Sequence, residues 1–406
     1  MRGAGVWGGM STDQTTNEVR PLPGARQLHA SLQAISDPRT ERRPRHALPD
    51  ILFIALCSLL AGGDSFLDME EFAQSRELWL RTMIALEGGP PSHDTFTRVF
   101  SALDSHAFEA AVRAWLRQII PPSPRPGVRP VRQLACDGKT LRGSRRGVPG
   151  ALVMAATVNV WCAEEGLCFS QRRIPEEDGE STQLQLLLRH MELRGVVLSA
   201  DAAHCQHDTA SSIIARGGDY VLNLKGNQPS AKAEIHPLLD AAAASRPPDW
   251  EQTEKGHGRL EIRRCWVLSE VGELACRGQW SGLGSVALCE RESLNLVTGK
   301  VEKGRRYYLT SLAPDAALIA RCVRQHWQVE NGLHWRLDVI FREDHQRART
   351  GYAATNFSLL RKMALNLLLK ARPKGVSANR LRLRAALQPN CLAGIVAPLL
   401  TTAALT

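Results

Sequence analysis

Two aspartates close short apolar runs. Asp137 follows Leu134-Ala135-Cys136 and opens the string D-G-K-T-L-R-G-S, and Asp201 follows G-V-V-L-S-A and leads into A-A-H-C-Q. A carboxylate at the end of a buried strand stands on the rim of a sheet, where α/β folds hold their ligands. Two such strands side by side would bring both carboxylates to one cation. Mg²⁺ takes hard oxygen ligands in near-octahedral geometry, and two such ions can clamp the attacking and leaving oxygens of a phosphodiester displacement. Taken singly, either aspartate reads as a turn or cap residue. Taken as a pair flanked by small residues that admit a bulky substrate, they read as a metal site.

A third ligand has to come from another element. In R-C-V-R-Q-H-W-Q-V-E-N-G-L-H-W (321–335), His326, Glu330 and His334 fall at i, i+4 and i+8, which places them on one helix face. Glu330 would complete a carboxylate trio. The same face would also suit zinc, and a plain polar face beside Trp327 and Trp335 is the bland alternative. Basic residues follow every candidate acid: Lys139, Arg142, Arg145 and Arg146 after Asp137, Lys225 in L-K-G-N-Q, and Arg336, Arg342, Arg347 and Arg349 after Glu330. Together they suit a phosphate backbone; singly, each is a solvated charge. Lys139, Arg142 and Lys225 are the expected phosphate contacts.

The elements that must carry these groups follow from periodicity and punctuation. Pro49 and Asp50 open a helix that stops at Gly62-Gly63, the Pro-first, Gly-last order of helices. Ser65 with Asp68 forms a capping box for the next helix. Ser92 caps a short third helix, which is either a recognition helix or a packing helix with Phe96 and Phe100 inward. A fourth runs over 105–119. From Val131 the texture turns to β-β-β-α-β-α-β: strands at 131–136, 151–162, 167–174, 195–200 and 220–224, with helices at 181–192 and 209–216. That order predicts an α/β layer fold with a mixed sheet. Residues 226–306 read as a β-rich insertion with strand-like runs at 259–268, 285–291 and 305–311. Helical periodicity returns over 315–337 and 356–369, the last helix read as core.

Composition sets outer limits. The 406 residues are 44% hydrophobic and 23% charged, which excludes a disordered chain. Fifty-one basic against 41 acidic residues give a net charge of +10, a mild pointer to a polyanion. The ten cysteines are scattered without a C-x-x-C pair and read as buried free thiols of a reducing cytosol. Residues 1–17 carry no apolar leader core, and the run Ile51–Ala61 is too short to span a bilayer. A soluble cytoplasmic protein is expected.

The strings R-P-R-H-A-L-P-D-I-L, A-G-G-D-S-F-L-D, P-S-H-D-T-F-T-R-V-F, D-G-K-T-L-R-G-S, G-G-D-Y-V-L-N-L-K-G-N-Q, H-G-R-L-E-I-R, H-W-Q-V-E-N-G-L-H-W and L-D-V-I-F-R-E-D are jointly specific. Over roughly 35–372 the chain resembles bacterial insertion-sequence DDE transposases of the H-repeat-associated (ISAs-type) family. The resemblance implies a ribonuclease-H-like catalytic domain over 131–372, interrupted by the insertion near 226–306. It places the catalytic and metal-binding acids on Asp137, Asp201 and Glu330. It implies two Mg²⁺ ions (with Mn²⁺ a substitute) and cleavage and strand transfer on double-stranded DNA, both element ends and target. A homo-oligomer on DNA, at the nucleoid of the cytoplasm, goes with that activity. A mobile basic arm (1–40), a helical associated or DNA-binding domain (41–125) and a tail (373–406) complete the expected organisation. A Tyr-Arg-Glu-Lys signature of related families is absent in strict form: Val323, His326 and Leu337 stand at the flanking positions, so His326 takes the place of a DNA-contacting Arg. After the second Asp, Ala202, Ala203 and His204 replace the usual Gly or Met. Asp338, Glu343 and Asp344 are acidic rivals to Glu330. Two other readings stand beside this one: a catalytically inactive DNA-binding relative, and a zinc hydrolase built on His326, Glu330 and His334.

Overall fold

The computed structural model describes residues 28–39, 44–119, 132–148 and 151–396. Most of the expected basic arm, and residues 121–130 between the expected helical and catalytic regions, lie outside these residues.

A nine-stranded sheet organises the fold. Its strands are β1 (Arg132–Thr140), β4 (Ala156–Cys162), β5 (Leu167–Ile174), β6 (Val196–Ala200), β7 (Asp219–Leu224), β8 (Trp250–Gly256), β9 (Arg259–Leu268), β10 (Ser285–Asn295) and β11 (Val301–Thr310), in the order β5-β4-β1-β6-β7-β11-β10-β9-β8. β1, β6 and β7 are parallel, and their flanks are antiparallel. A separate hairpin pairs β2 (Arg146–Val148) with β3 (Ala151–Val153), so the single strand expected over 151–162 is broken in two.

Strands β8, β9, β10 and β11 occupy the later part of the region expected to be β-rich and do not form a separate sheet. They join the main sheet through β11 against β7. Because β11 runs antiparallel to β7 and pairs Tyr307 with Leu224, residues 301–306 project past the end of β7. One helix was missed there: α9 (Pro229–Ser245) starts with a proline and holds Pro237 inside it, a residue that ordinarily ends a helical reading.

Helices cover both faces of the sheet. On one side α7 (Glu180–Leu188), α8 (His207–Ile214) and α9 bury Leu134, Cys136, Leu198 and Tyr220. On the other, α10 (Ala316–His326) packs on Val197 and Val221, while α11 (Trp335–Phe341) and α12 (Ala353–Ala371) join the core that includes Ala135. α12 is buried along most of its length, as expected for a core helix.

The N-terminal helices are α1 (Leu28–Gln33), α2 (Leu48–Leu60), α3 (Phe66–Ser75), α4 (Glu77–Leu80), α5 (His93–Ala102) and α6 (Ser105–Ile119). The capping box at Ser65 and the Ser92 cap form as the residues require. These helices are not independent of the sheet domain, because one continuous core joins them to α12. In α5, Phe96 and Phe100 are buried. Phe66 stacks on Phe357 at 5.3 Å and lies 5.4 Å from Phe100, and Asn356 Nδ2 donates to Phe100 O (3.0 Å) and Leu103 O (2.7 Å). α5 therefore packs, as the second of its two readings held.

Two further expectations are corrected. Residues 28–35, assigned to a mobile arm, place Leu28, Leu32 and Ile35 in this core. Most of the expected tail forms α13 (Ala378–Leu387) and α14 (Pro389–Val396). Arg382 locks it down by donating to Leu59 O (2.8 Å) and Gly63 O (2.9 Å), carbonyls at the end of α2 and just beyond it. No helix among the described residues is long and apolar enough to cross a membrane. The ten cysteines are free thiols, eight of them buried.

Candidate active site

The site grows from the parallel pairing of β1 with β6. Their register ends at Cys136 opposite Ala200, so Asp137 and Asp201 are the next residue on each strand. β6 stops there. Asp201 also caps the short 3-10 turn Ala202–His204, its Oδ1 accepting the Ala203 N–H at 3.1 Å; the cap role and the site role coexist. β1 does not stop. It runs on to Thr140 because β4 continues to pair with it, Gly138 with Val158 and Thr140 with Ala156. Asp137 thus lies inside a strand and at the end of only one of its two ladders.

Glu330 arrives by a local irregularity. Residues Val329–His334 form a π turn between α10 and α11, a widened turn often found at functional sites. Val329 and Leu333 anchor it in the core while Glu330 stays exposed. Gly332 lets the turn approach the sheet, since a Cβ there would lie 2.9 Å from the ring of buried Trp161.

The π turn undoes the expected single face. His326 Nδ1 lies 3.1 Å from Ser199 Oγ, and burial pushes its pKa down to about 4. His334 Nδ1 lies 3.4 Å from Asp137 Oδ2. The two imidazoles therefore face separate partners, Ser199 and Asp137. His326 is half-buried beside Ser199 on β6.

Electrostatics tie the carboxylates together. Burial first, then the charges of Asp201, Glu180 and Glu330, push the Asp137 carboxyl up to about 7. The rival acids are committed elsewhere. Asp338 accepts two contacts from Lys139 Nζ at 2.8 and 2.9 Å, Glu343 is buried and accepts from Ser358 Oγ at 2.8 Å, and Asp344 lies 3.7 Å from Arg142. Crowded carboxylate oxygens are the donor set that Mg²⁺ or Mn²⁺ prefers. Among the described residues no three His, Cys, Asp or Glu side chains are placed to hold a metal ion as they stand; what links the acids is their charge acting on Asp137.

Of the expected phosphate contacts, Arg142 and Lys225 are exposed. Lys139 is buried, with its ammonium bound to Asp338; its side chain folds inward because it shares Asp137's face of β1. Glu180, the first residue of α7, was not singled out by the sequence. The sequence pattern starts its helix at Ser181, one residue late.

Comparison with known proteins fixes the family. The model of the transposase DDE domain matches residues 137–367 and that of the DDE transposase-associated domain matches residues 29–116. The chain is a DDE transposase of the H-repeat-associated type. It is 31% identical to the H repeat-associated putative transposase YhhI of Escherichia coli K12, over 92% of this chain and 98% of the relative. It is 33% identical to the putative transposase YncI of Escherichia coli O157:H7, over 83% and 86%. An uncharacterized protein in the dhlA 3′ region of Xanthobacter autotrophicus is 40% identical over 70% of this chain and 94% of that protein. Among solved structures, the piggyBac transposase synaptic complex with hairpin DNA is similar at 12% identity and a TM-score of 0.38, covering 95% of this chain and 78% of that one. Asp137, Asp201 and Glu330 of the transposase all lie within the matched DDE domain.

Proposed function

We propose that this transposase cleaves DNA at the ends of its element and transfers the freed strand to target DNA, using Asp137, Asp201 and Glu330 to hold two Mg²⁺ ions, with Mn²⁺ able to substitute. The observation that carries this reading is the half-buried Asp137, whose carboxyl is pushed up to about 7 by desolvation and then by the charges of Asp201, Glu180 and Glu330. Such a cluster is costly unless a cation neutralises it. The strand order β5-β4-β1-β6-β7, with β4 antiparallel and β1, β6 and β7 parallel, supports a ribonuclease-H-like core.

Bound divalent ions supply Lewis-acid stabilisation of the phosphodiester displacement. The chain's own residues do the rest. Asp137 and Asp201 fix two ligand positions on adjacent strands, and the π turn presents the third. The carboxylates bind and do not attack, so no covalent protein–DNA link is required. Arg142 and Lys225, both exposed, suit the phosphates of double-stranded DNA. A homo-oligomer bridging two element ends at the nucleoid completes the proposal.

The test is cleavage and strand transfer on DNA bearing the element's own ends, with Mg²⁺, Mn²⁺ or Ca²⁺. Asp137→Ala, Asp201→Ala and Glu330→Ala should each abolish both reactions while DNA binding persists. Activity that survives Asp137→Ala would overturn the reading.

A further inference from the structure

We propose that Glu180 is a fourth carboxylate ligand of the cation site and that buried His204 is the residue that positions it; this rests on the reading above. Glu180 opens α7, yet no side chain caps that helix. Its carboxyl instead crosses to β1. A Cβ at Gly138 would lie 2.4 Å from Cδ, Oε1 and Oε2 of Glu180, so the residue after Asp137 must be glycine for the carboxyl to occupy this position.

The second contact, a close approach rather than an aligned hydrogen bond, runs to the turn after Asp201. His204 Nε2 lies 2.7 Å from Glu180 Oε1, and His204 is 0% exposed. Ser181 Oγ also donates to Ala203 O at 2.7 Å. The start of α7 is thus fastened to the segment that carries Asp201, while its first side chain presses on the segment that carries Asp137. An acid that served only the dipole of its helix would need none of these contacts. Glu180 keeps about a third of its side-chain surface open (32%), leaving its second oxygen free for an ion. Carboxylates that ligate a metal are themselves usually held by neighbouring polar groups, and loss of such a neighbour typically weakens metal binding about 10–100-fold.

The experiment is Mn²⁺ binding to the full chain without DNA, followed by electron paramagnetic resonance, beside melting curves without metal. Glu180→Gln should weaken Mn²⁺ binding by about tenfold or more with an unchanged metal-free melting temperature. Gly138→Ala, which pushes the carboxyl away, should do the same, and His204→Gln should fall between wild type and Glu180→Gln. Wild-type Mn²⁺ affinity in both Glu180→Gln and Gly138→Ala, with binding lost in Asp137→Asn, would overturn the proposal and leave the three-carboxylate reading standing. Unchanged binding in Asp137→Asn, or no binding by wild type, would overturn both.

Discussion

Nδ1 of His334 stands 3.4 Å from Oδ2 of Asp137, and the imidazole is neutral at physiological pH, because burial and then the charges of Lys139 and Lys362 push its pKa down to about 3. A neutral ring can offer Asp137 a polar neighbour without a positive charge that competes with a cation. His334→Asn, which keeps a polar group near the Nδ1 position, should retain most end cleavage. His334→Leu should lower it by about tenfold or more, as losses of groups that orient metal ligands do. Single-turnover cleavage at saturating Mg²⁺ compares them; equal rates in wild type and the Leu variant would remove His334 from the site.

Asp137 makes a prediction about pH. Its carboxyl is held protonated up to about 7 in the fold and titrates near 3.9 when unfolded. The folded state therefore binds the extra proton. Stability from this group is full below pH ~4 and is lost as pH rises through about 7; the whole effect is on the order of 4 kcal/mol at most. Metal-free protein should melt lower at pH 8 than at pH 6, and Asp137→Asn should flatten that part of the profile. His326 and His334, both pushed down, act oppositely: what they contribute is full above ~6.5 and falls away toward acid. A melting profile whose fall from pH 6 to 8 is the same in Asp137→Asn would show that Asp137 is not the titrating group.

Lys139 separates a structural from a DNA-binding role. Its ammonium is buried against Asp338 and lies 3.8 Å from Glu343. Removing one partner of a fully buried pair costs ~3–5 kcal/mol; Asp338 keeps about a third of its surface, so Lys139→Met should cost on the order of 2 kcal/mol. Much of that should return in the double variant Lys139→Met/Asp338→Leu. Denaturant unfolding measures both. A Lys139→Met protein of wild-type stability but weaker DNA binding would place the ammonium on phosphate instead.

How far the site could be read from sequence depends on what each residue needs. Asp137 and Asp201 were legible because the central parallel strands are apolar on both faces, so the first carboxylate after such a run marks the rim. The reach of β1 beyond Asp137 was not legible, since it depends on β4 continuing to pair. Spacing made His326, Glu330 and His334 look like one α-helical face, and only the packing of Val329, Leu333 and Gly332 against the core and Trp161 reveals the π turn. Glu180 could not be found by pattern, because its place is set by a gap at Gly138 on a distant strand. Punctuation placed α2, and the spacing of Phe96 and Phe100 gave α5 a buried face, without showing that α12 packs against both.

Arg142 and Lys225 remain the expected phosphate contacts, and salt dependence can test each alone. Arg142 keeps 78% of its side-chain surface, with Asp344 its nearest acid at 3.7 Å, and Lys225 is exposed just past β7. A cation that neutralises one phosphate releases about one counterion, so its removal lowers the slope of log K against log salt by about 1. Arg142→Ala and Lys225→Ala should each show that change on duplex DNA bearing an element end. The melting temperature should hold, because neither side chain fills a core. Arg142→Ala should be the cleaner variant, its contact with Asp344 being exchanged for water at small cost. A slope identical to wild type in either variant would place that residue away from the DNA backbone, and would shift the search to the exposed arginines that follow Glu330.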